Sequence, residues 1–191
     1  YPRRERPALH DVDLTIRVGD RVLLEGSSGG GKSTLGGVLA GLHAPGSGLV
    51  LLAGLDRATL GLAGWRRRVA AAPQFHDNHV FTAPFAFNLL MGRGWPPTPA
   101  DLEEAELVCR ELDLGELLDR MPGGLMQMVG ETGWQLSHGE RSRLFIARAL
   151  LQRVEMIVLD ESFAALDPVT LQRALACVLT RARTLVVIAH P

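Results

Sequence analysis

Nine consecutive residues, Gly26-Ser27-Ser28-Gly29-Gly30-Gly31-Lys32-Ser33-Thr34, follow the short apolar run Val22-Leu23-Leu24. Their spacing, Gly-x4-Gly-Lys-Ser between a strand and a helix, is that of a loop that wraps phosphate. Each residue type has a chemical reason. Glycines let backbone N–H groups turn inward around phosphate oxygens without a Cβ in the way. The N-terminus of the following helix adds a partial positive charge. Lys32 brings a compact cation to the β- and γ-phosphates, and the Ser33 hydroxyl can ligate Mg²⁺. Lys32 is the single lysine among 20 basic residues; the others are arginines. The chemistry these residues point to is the binding of a nucleoside triphosphate.

A second group is acidic. Met156-Ile157-Val158-Leu159 reads as a buried strand and ends in Asp160-Glu161. In phosphate-loop proteins such a strand is expected beside the one that feeds the loop. Asp160 would then sit near Mg²⁺, through water, and Glu161 would polarise the attacking water as general base.

The elements that must hold these groups can be read from periodicity. Val12, Leu14, Ile16 and Val18 alternate with polar residues, as in a half-buried strand. Arg21–Glu25 is a second strand, and a helix is expected from Lys32 to Leu42, stopped by Ala44-Pro45-Gly46. Leu49–Ala53 and Val69–Ala72 read as further strands, with Arg66-Arg67-Arg68 on a solvated face. Leu102, Ala105, Val108 and Leu112 share one helical face. Gly92–Pro99 is a loop, a helix spans about 139–152, and the end is strand 155–159, helix 168–181 and strand 184–189. The fold class is therefore α/β, a phosphate-loop NTPase core with a mainly parallel sheet. The core takes about 1–83 and 151–191, and an inserted α-helical subdomain takes about 84–150.

Composition narrows the function classes. The 191 residues are 47% hydrophobic and 21% charged, enough to bury a core, and fit one domain. Net charge is −1, so no overall field draws the chain to nucleic acid. The apolar runs are strand-sized, well short of the ~18–20 residues that span a membrane. Residues 1–7 lack the apolar stretch of a secretory signal. Cys109 and Cys177 have no metal-type spacing, lie on expected helices and read as buried reduced thiols.

A family resemblance rests on several further motifs. Leu136-Ser137-His138-Gly139-Glu140, followed by Arg141, Arg143, Leu144, Ala147, Arg148, Ala149 and Leu150, resembles the LSGGQ signature helix of ATP-binding cassette (ABC) ATPases. Gln74 is similar to the Q-loop glutamine, a contact of Mg²⁺ and water. Ala165-Leu166-Asp167 resembles the D-loop. His190 is similar to the switch histidine at the γ-phosphate, and Tyr1 to the aromatic residue stacked on adenine. The resemblance covers nearly the whole chain. It implies an ATP hydrolase with ATP and Mg²⁺ as cofactors, the metal near Ser33, Gln74 and Asp160, and Glu161, His190 and Gln74 catalytic. It also implies that Ser137, His138, Gly139 and Glu140 meet ATP held by a second such domain, in a homo- or heterodimer. Two residues depart from the pattern: His138 stands where the signature has glycine, and Glu140 where it has glutamine.

Val129-Gly130-Glu131-Thr132-Gly133 and the segment Phe81 to Leu89 resemble the exporter branch. There the acidic residue would meet transmembrane domains, and Phe85 and Phe87 would form an exposed apolar docking patch. The resemblance thus implies a transporter cassette that couples ATP-driven head-to-tail dimerisation to export. Membrane domains are expected upstream in the same polypeptide, and the cassette is expected on the cytoplasmic face of a bacterial membrane. The alternatives are a soluble non-transport ABC ATPase acting on nucleic acid, a phosphate-loop kinase, and a degenerate cassette that binds ATP mainly to dimerise. The neutral charge and the absence of basic arms disfavour the first, the signature disfavours the second, and Glu161 disfavours the third.

Overall fold

The computed structural model describes residues 8–74 and 78–189. They fall into two compact units.

The first unit takes the described residues up to Pro73, then Val154–Glu161 and those from Arg183. Its elements are β1 (Arg21–Leu24), α1 (Lys32–Leu39), β2 (Leu51–Leu52), β3 (Leu55–Asp56), α2 (Arg57–Arg66) and β4 (Val69–Ala72). Later in the chain, β5 to β8 are Ala83–Pro84, Met128–Val129, Met156–Asp160 and Leu185–Ile188. Of these, β7 and β8 join β1 and β4 in one parallel sheet of order β1-β8-β7-β4. Leu185 pairs with Arg21 on one side and Ile157 on the other, so β8 lies between the loop-feeding strand and the acidic strand. The expectation that the Asp160 strand adjoins β1 is therefore corrected: one strand intervenes. β4, β7 and β8 read as apolar runs and are mostly buried, whereas β1, at the sheet edge, alternates with Arg21 and Leu23 exposed. Trp65, Val69, Val158, Val186 and Ile188 form the core, with Val22, Leu24 and Leu39 packed on it. A Cβ at Gly36 of α1 would lie 2.7 Å from Ile188 Cδ1, so that glycine sets how closely the helix rests on the sheet.

Residues 12–18 form no strand. Arg17 spends its backbone groups on a turn instead: its N–H donates to the Asp20 carboxylate (2.7 Å) and its carbonyl accepts from Asp20 N–H (3.0 Å). Val12 and Val18 are 51% and 65% exposed, and among the described residues no strand pairs with this segment. Of Leu49–Ala53, only β2 is paired, antiparallel to β3.

The second unit takes Gln74–Arg153 and Ser162–Ala182. Its helices are α3 (Phe85–Leu89), α4 (Pro99–Glu111), α5 (Gly115–Arg120), α6 (His138–Leu151) and α7 (Pro168–Arg181), and β5 pairs antiparallel with β6. The helix starts are written in the sequence. Thr98 and Asp101 close a capping box on α4, with Pro99 at its first position. Asp167 caps α7, again ahead of a proline. Phe85, Leu89, Val108, Leu112, Leu117, Leu144, Ile146 and Leu151 are fully buried among these helices. Phe85 has no exposed surface, and Phe87 stands edge-on to Trp95 with ring centroids 5.2 Å apart. The expected docking patch of Phe85 and Phe87 is thus not formed; burying Phe85 in the helical core is worth more than exposing it.

Candidate functional site

The phosphate-type loop leaves β1 and enters α1. Three of its glycines have left-handed or otherwise positive φ: Gly26 (153°), Gly29 (78°) and Gly31 (87°). At Gly31 the need is also steric, because a Cβ there would stand 2.4 Å from the Ala8 carbonyl oxygen and 2.9 Å from Leu9 Cδ2. Ser27, Ser28, Gly29, Gly30 and Ser33 are exposed, while Gly31, Lys32 and Thr34 are half-buried. The Lys32 ammonium reaches back across the loop, donating to the carbonyls of Gly26 (2.6 Å) and Ser27 (3.0 Å). The cation is thereby fixed on the axis of the loop rather than left in solvent.

In the same unit, Asp160 closes β7 as a buried residue, and its Oδ1 atom is shielded from water. Glu161 follows with φ 52°, an uncommon conformation for a residue with a side chain. Its N–H donates to the Ile188 carbonyl (3.0 Å), which extends the ladder by one bond while the chain turns away. Strain of this kind gathers at functional sites. β8 ends at Ile188, and Ala189 N–H donates to Leu24 O (3.1 Å), which ties the ends of β8 and β1. His190 and Tyr1 lie outside the described residues.

The donor chemistry fits Mg²⁺. That ion keeps several waters and takes one or two protein oxygens beside substrate phosphates. A serine hydroxyl at the head of α1 and one buried carboxylate are such a set. No group of three His, Cys, Asp or Glu suited to a metal occurs among the described residues.

The second unit holds the other motif residues. Gln74, half-buried, comes two residues after β4 ends. Ser137 is the N-cap of α6: its hydroxyl accepts from Glu140 N–H (3.2 Å), and Glu140 Oε2 accepts from Ser137 N–H (2.7 Å). Glu140 Oε1 accepts from Arg120 (2.6 Å). Burial pushes the Glu140 carboxyl up, but hydrogen bonds from Ser137 and the Arg120 cation more than offset it and hold the group below its ordinary range. His138 is exposed at the first position of α6, and Gly139 rests against the Ala165 carbonyl, where a Cβ would be 3.5 Å away. Asp167 accepts from Val169 and Thr170 N–H, both at 3.1 Å; the Thr170 bonds hold its carboxyl low.

The first unit thus gathers Gly26 to Thr34, Asp160 and Glu161 on β1, α1 and β7. The second gathers Ser137 to Glu140 and Asp167 at the starts of α6 and α7. Arg120 as partner of Glu140 escaped the sequence reading, since nothing at a separation of 20 residues announces it. Gln135 escaped too: its side-chain amide donates to the carbonyls of Gly130 (2.8 Å), Glu131 (3.1 Å) and Gly133 (3.2 Å), shaping the loop that exposes Glu131.

Comparison with known proteins gives concordant results. A family model described as ABC transporter matches residues 9–164. An ATP-dependent lipid A-core flippase of Chromobacterium violaceum is 37% identical over the whole chain, and the one of Sodalis glossinidius 38%. The ABC multidrug transporter MDR2 of Trichophyton tonsurans is also 38% identical over the whole chain. The chain spans 32% of each flippase and 14% of the fungal protein. Among solved structures, a bacterial Atm1-family ABC exporter with ATP bound superposes over 98% of the chain with TM-score 0.86, at 32% identity.

Proposed function

Because the chain belongs to the ABC transporter family, we infer that it is the ATP-binding and ATP-hydrolysing domain of an exporter. The observation that carries this reading is the Lys32 loop with Asp160 and Glu161 in one parallel-sheet unit, in a chain alike along its whole length to exporters. The lipid A-core flippases and the multidrug transporter are named for unlike cargo, so the shared part is the energy-converting one. No helix among the described residues is long and apolar enough to cross a membrane. The membrane-spanning partner then belongs to the remaining two-thirds of a relative-sized protein, and this domain would work on its cytoplasmic face.

In this reading the Gly26–Thr34 loop seats the triphosphate. Lys32 exchanges its carbonyl acceptors for the β- and γ-phosphate oxygens. Ser33, Asp160 through water, and Gln74 would hold Mg²⁺, which would supply charge neutralisation to the phosphates. Glu161 takes the proton of the attacking water, His190 meets the γ-phosphate, and Tyr1 stacks on the base. Ser137, His138, Gly139 and Glu140 of one copy close over the ATP of another in a twofold, head-to-tail pair, with Asp167 at the junction. ATP binding closes the pair and hydrolysis reopens it.

The test is a pair of substitutions in the full-length protein. Lys32→Ala should lose nucleotide binding and turnover together. Glu161→Gln should keep ATP binding, accumulate the ATP-bound pair, and lose turnover by roughly 10²–10⁴-fold. Parental hydrolysis in either variant defeats the assignment.

A further inference from the structure

Glu140 puts a carboxylate where a second anion is expected. It is the third residue of α6, and the proposed function closes this helix start over the triphosphate held by another copy. Its Oε2 accepts from Ser137 N–H (2.7 Å), and its side chain is only 12% exposed. Burial works against its charge, but the Ser137 bonds and the Arg120 cation keep it ionised. A carboxylate suits a helix N-terminus, because it complements the dipole. It also competes with any anion that must reach the same end, since like charges brought together cost affinity. The signature that this helix resembles has glutamine there, which closes a capping box without the charge.

One cation meets that charge. Arg120, in the last turn of α5, donates from Nη2 to Glu140 Oε1 (2.6 Å). The arginines near the start of α6 itself are turned elsewhere. Arg141 donates to the Leu136 carbonyl (3.2 Å), and Arg143 to the carbonyls of Gly139 (3.2 Å) and Asp113 (2.6 Å). The Arg120 side chain is 60% exposed, so its ion pair adds little to stability. What the pair does change is the charge at the head of α6. We propose that Arg120 is a positioning residue for the ATP of the partner copy: it neutralises Glu140 and holds Oε1 toward α5, so that the head of α6 stays open to an anion. This rests on the role given to Ser137–Glu140 above.

Pairing is read in the full-length protein carrying Glu161→Gln, as the ATP concentration that half-saturates energy transfer between dyes on the two copies. Arg120→Ala should raise that concentration about fivefold to tenfold, with the melting temperature unchanged. Arg120→Lys keeps the charge and should stay within about twofold of the parent. The decisive measurement combines Arg120→Ala with Glu140→Gln. Once the carboxylate is gone there is no charge left to neutralise, so Arg120→Ala should add no further penalty to Glu140→Gln. A penalty of equal size in both backgrounds, one that Arg120→Lys shares, or one that follows the melting temperature makes Arg120 a prop for α5 and overturns the proposal. Parental pairing in Arg120→Ala overturns it as well. Parental half-saturation in Ser137→Ala removes the role of the helix start itself and takes the proposal with it for that separate reason.

Discussion

His138 shows what a single residue can decide. It occupies the first position of α6, next to Gly139, whose lack of a Cβ keeps the helix start close to the Ala165 carbonyl. The helix N-terminus already offers backbone donors to an anion, so an exposed imidazole at this point adds bulk before it adds anything else. His138→Gly in the full-length protein should raise ATP-driven pairing and turnover by roughly threefold to tenfold, the size of a contact of about 1 kcal/mol. Lower turnover would place the imidazole on phosphate and overturn the expectation. The places of Lys32 at the head of α1, Asp160 at the end of β7 and Ser137 at the start of α6 were legible from types and spacing. The left-handed φ of Glu161 was not, because that geometry comes from the bond to Ile188 at the end of another strand.

Among elements, α6 has the most informative start. Its capping box joins Ser137 and Glu140 reciprocally, and Arg120 adds an ion pair to the carboxylate. Ser137→Ala should cost about 1 kcal/mol of stability, the usual size of a lost cap. The carboxyl is held below its ordinary value of 4.5. Its contribution is therefore fully present above that value and is lost as the pH falls through the depressed one. The urea midpoint of the parent should exceed that of Glu140→Gln at pH 6.5, and the gap should shrink steadily below pH 4.5. A gap of constant size would mean that the cap works by shape alone, since glutamine can close the same box. The helices α4, α6 and α7 were readable because their caps and periodicities are local. The strand expected at residues 12–18 was not formed, since alternation fixes which side chains share a face but not whether a neighbour exists. The place of β8 between β1 and β7 was equally hidden: strand order depends on which apolar runs pair, and Val22-Leu23-Leu24 would suit either neighbour.

At the scale of the molecule, each unit has its own reason to hold together: a parallel sheet with buried central strands in one, a helical core in the other. The two thiols belong to the helical one. Burial pushes Cys177 up to about 12, helped by its bond to Glu111, and burial drives Cys109 higher still. Iodoacetamide at pH 7.5 should therefore label neither at a useful rate in the folded protein, Cys177 being the faster of the two, and both at once in denaturant. Rapid labelling of Cys109 under native conditions would show that the core around α4 opens. The side chains of the folded chain contain only one primary amine, and Lys32 holds it over the Gly26 and Ser27 carbonyls at the centre of the loop. An amine-directed acylating reagent applied to this domain thus has one side-chain target, and it is the residue on which catalysis is proposed to depend. Mild acylation becomes a titration of the loop itself: protection by a triphosphate would be read on the peptide that carries Lys32, with no background from other lysines.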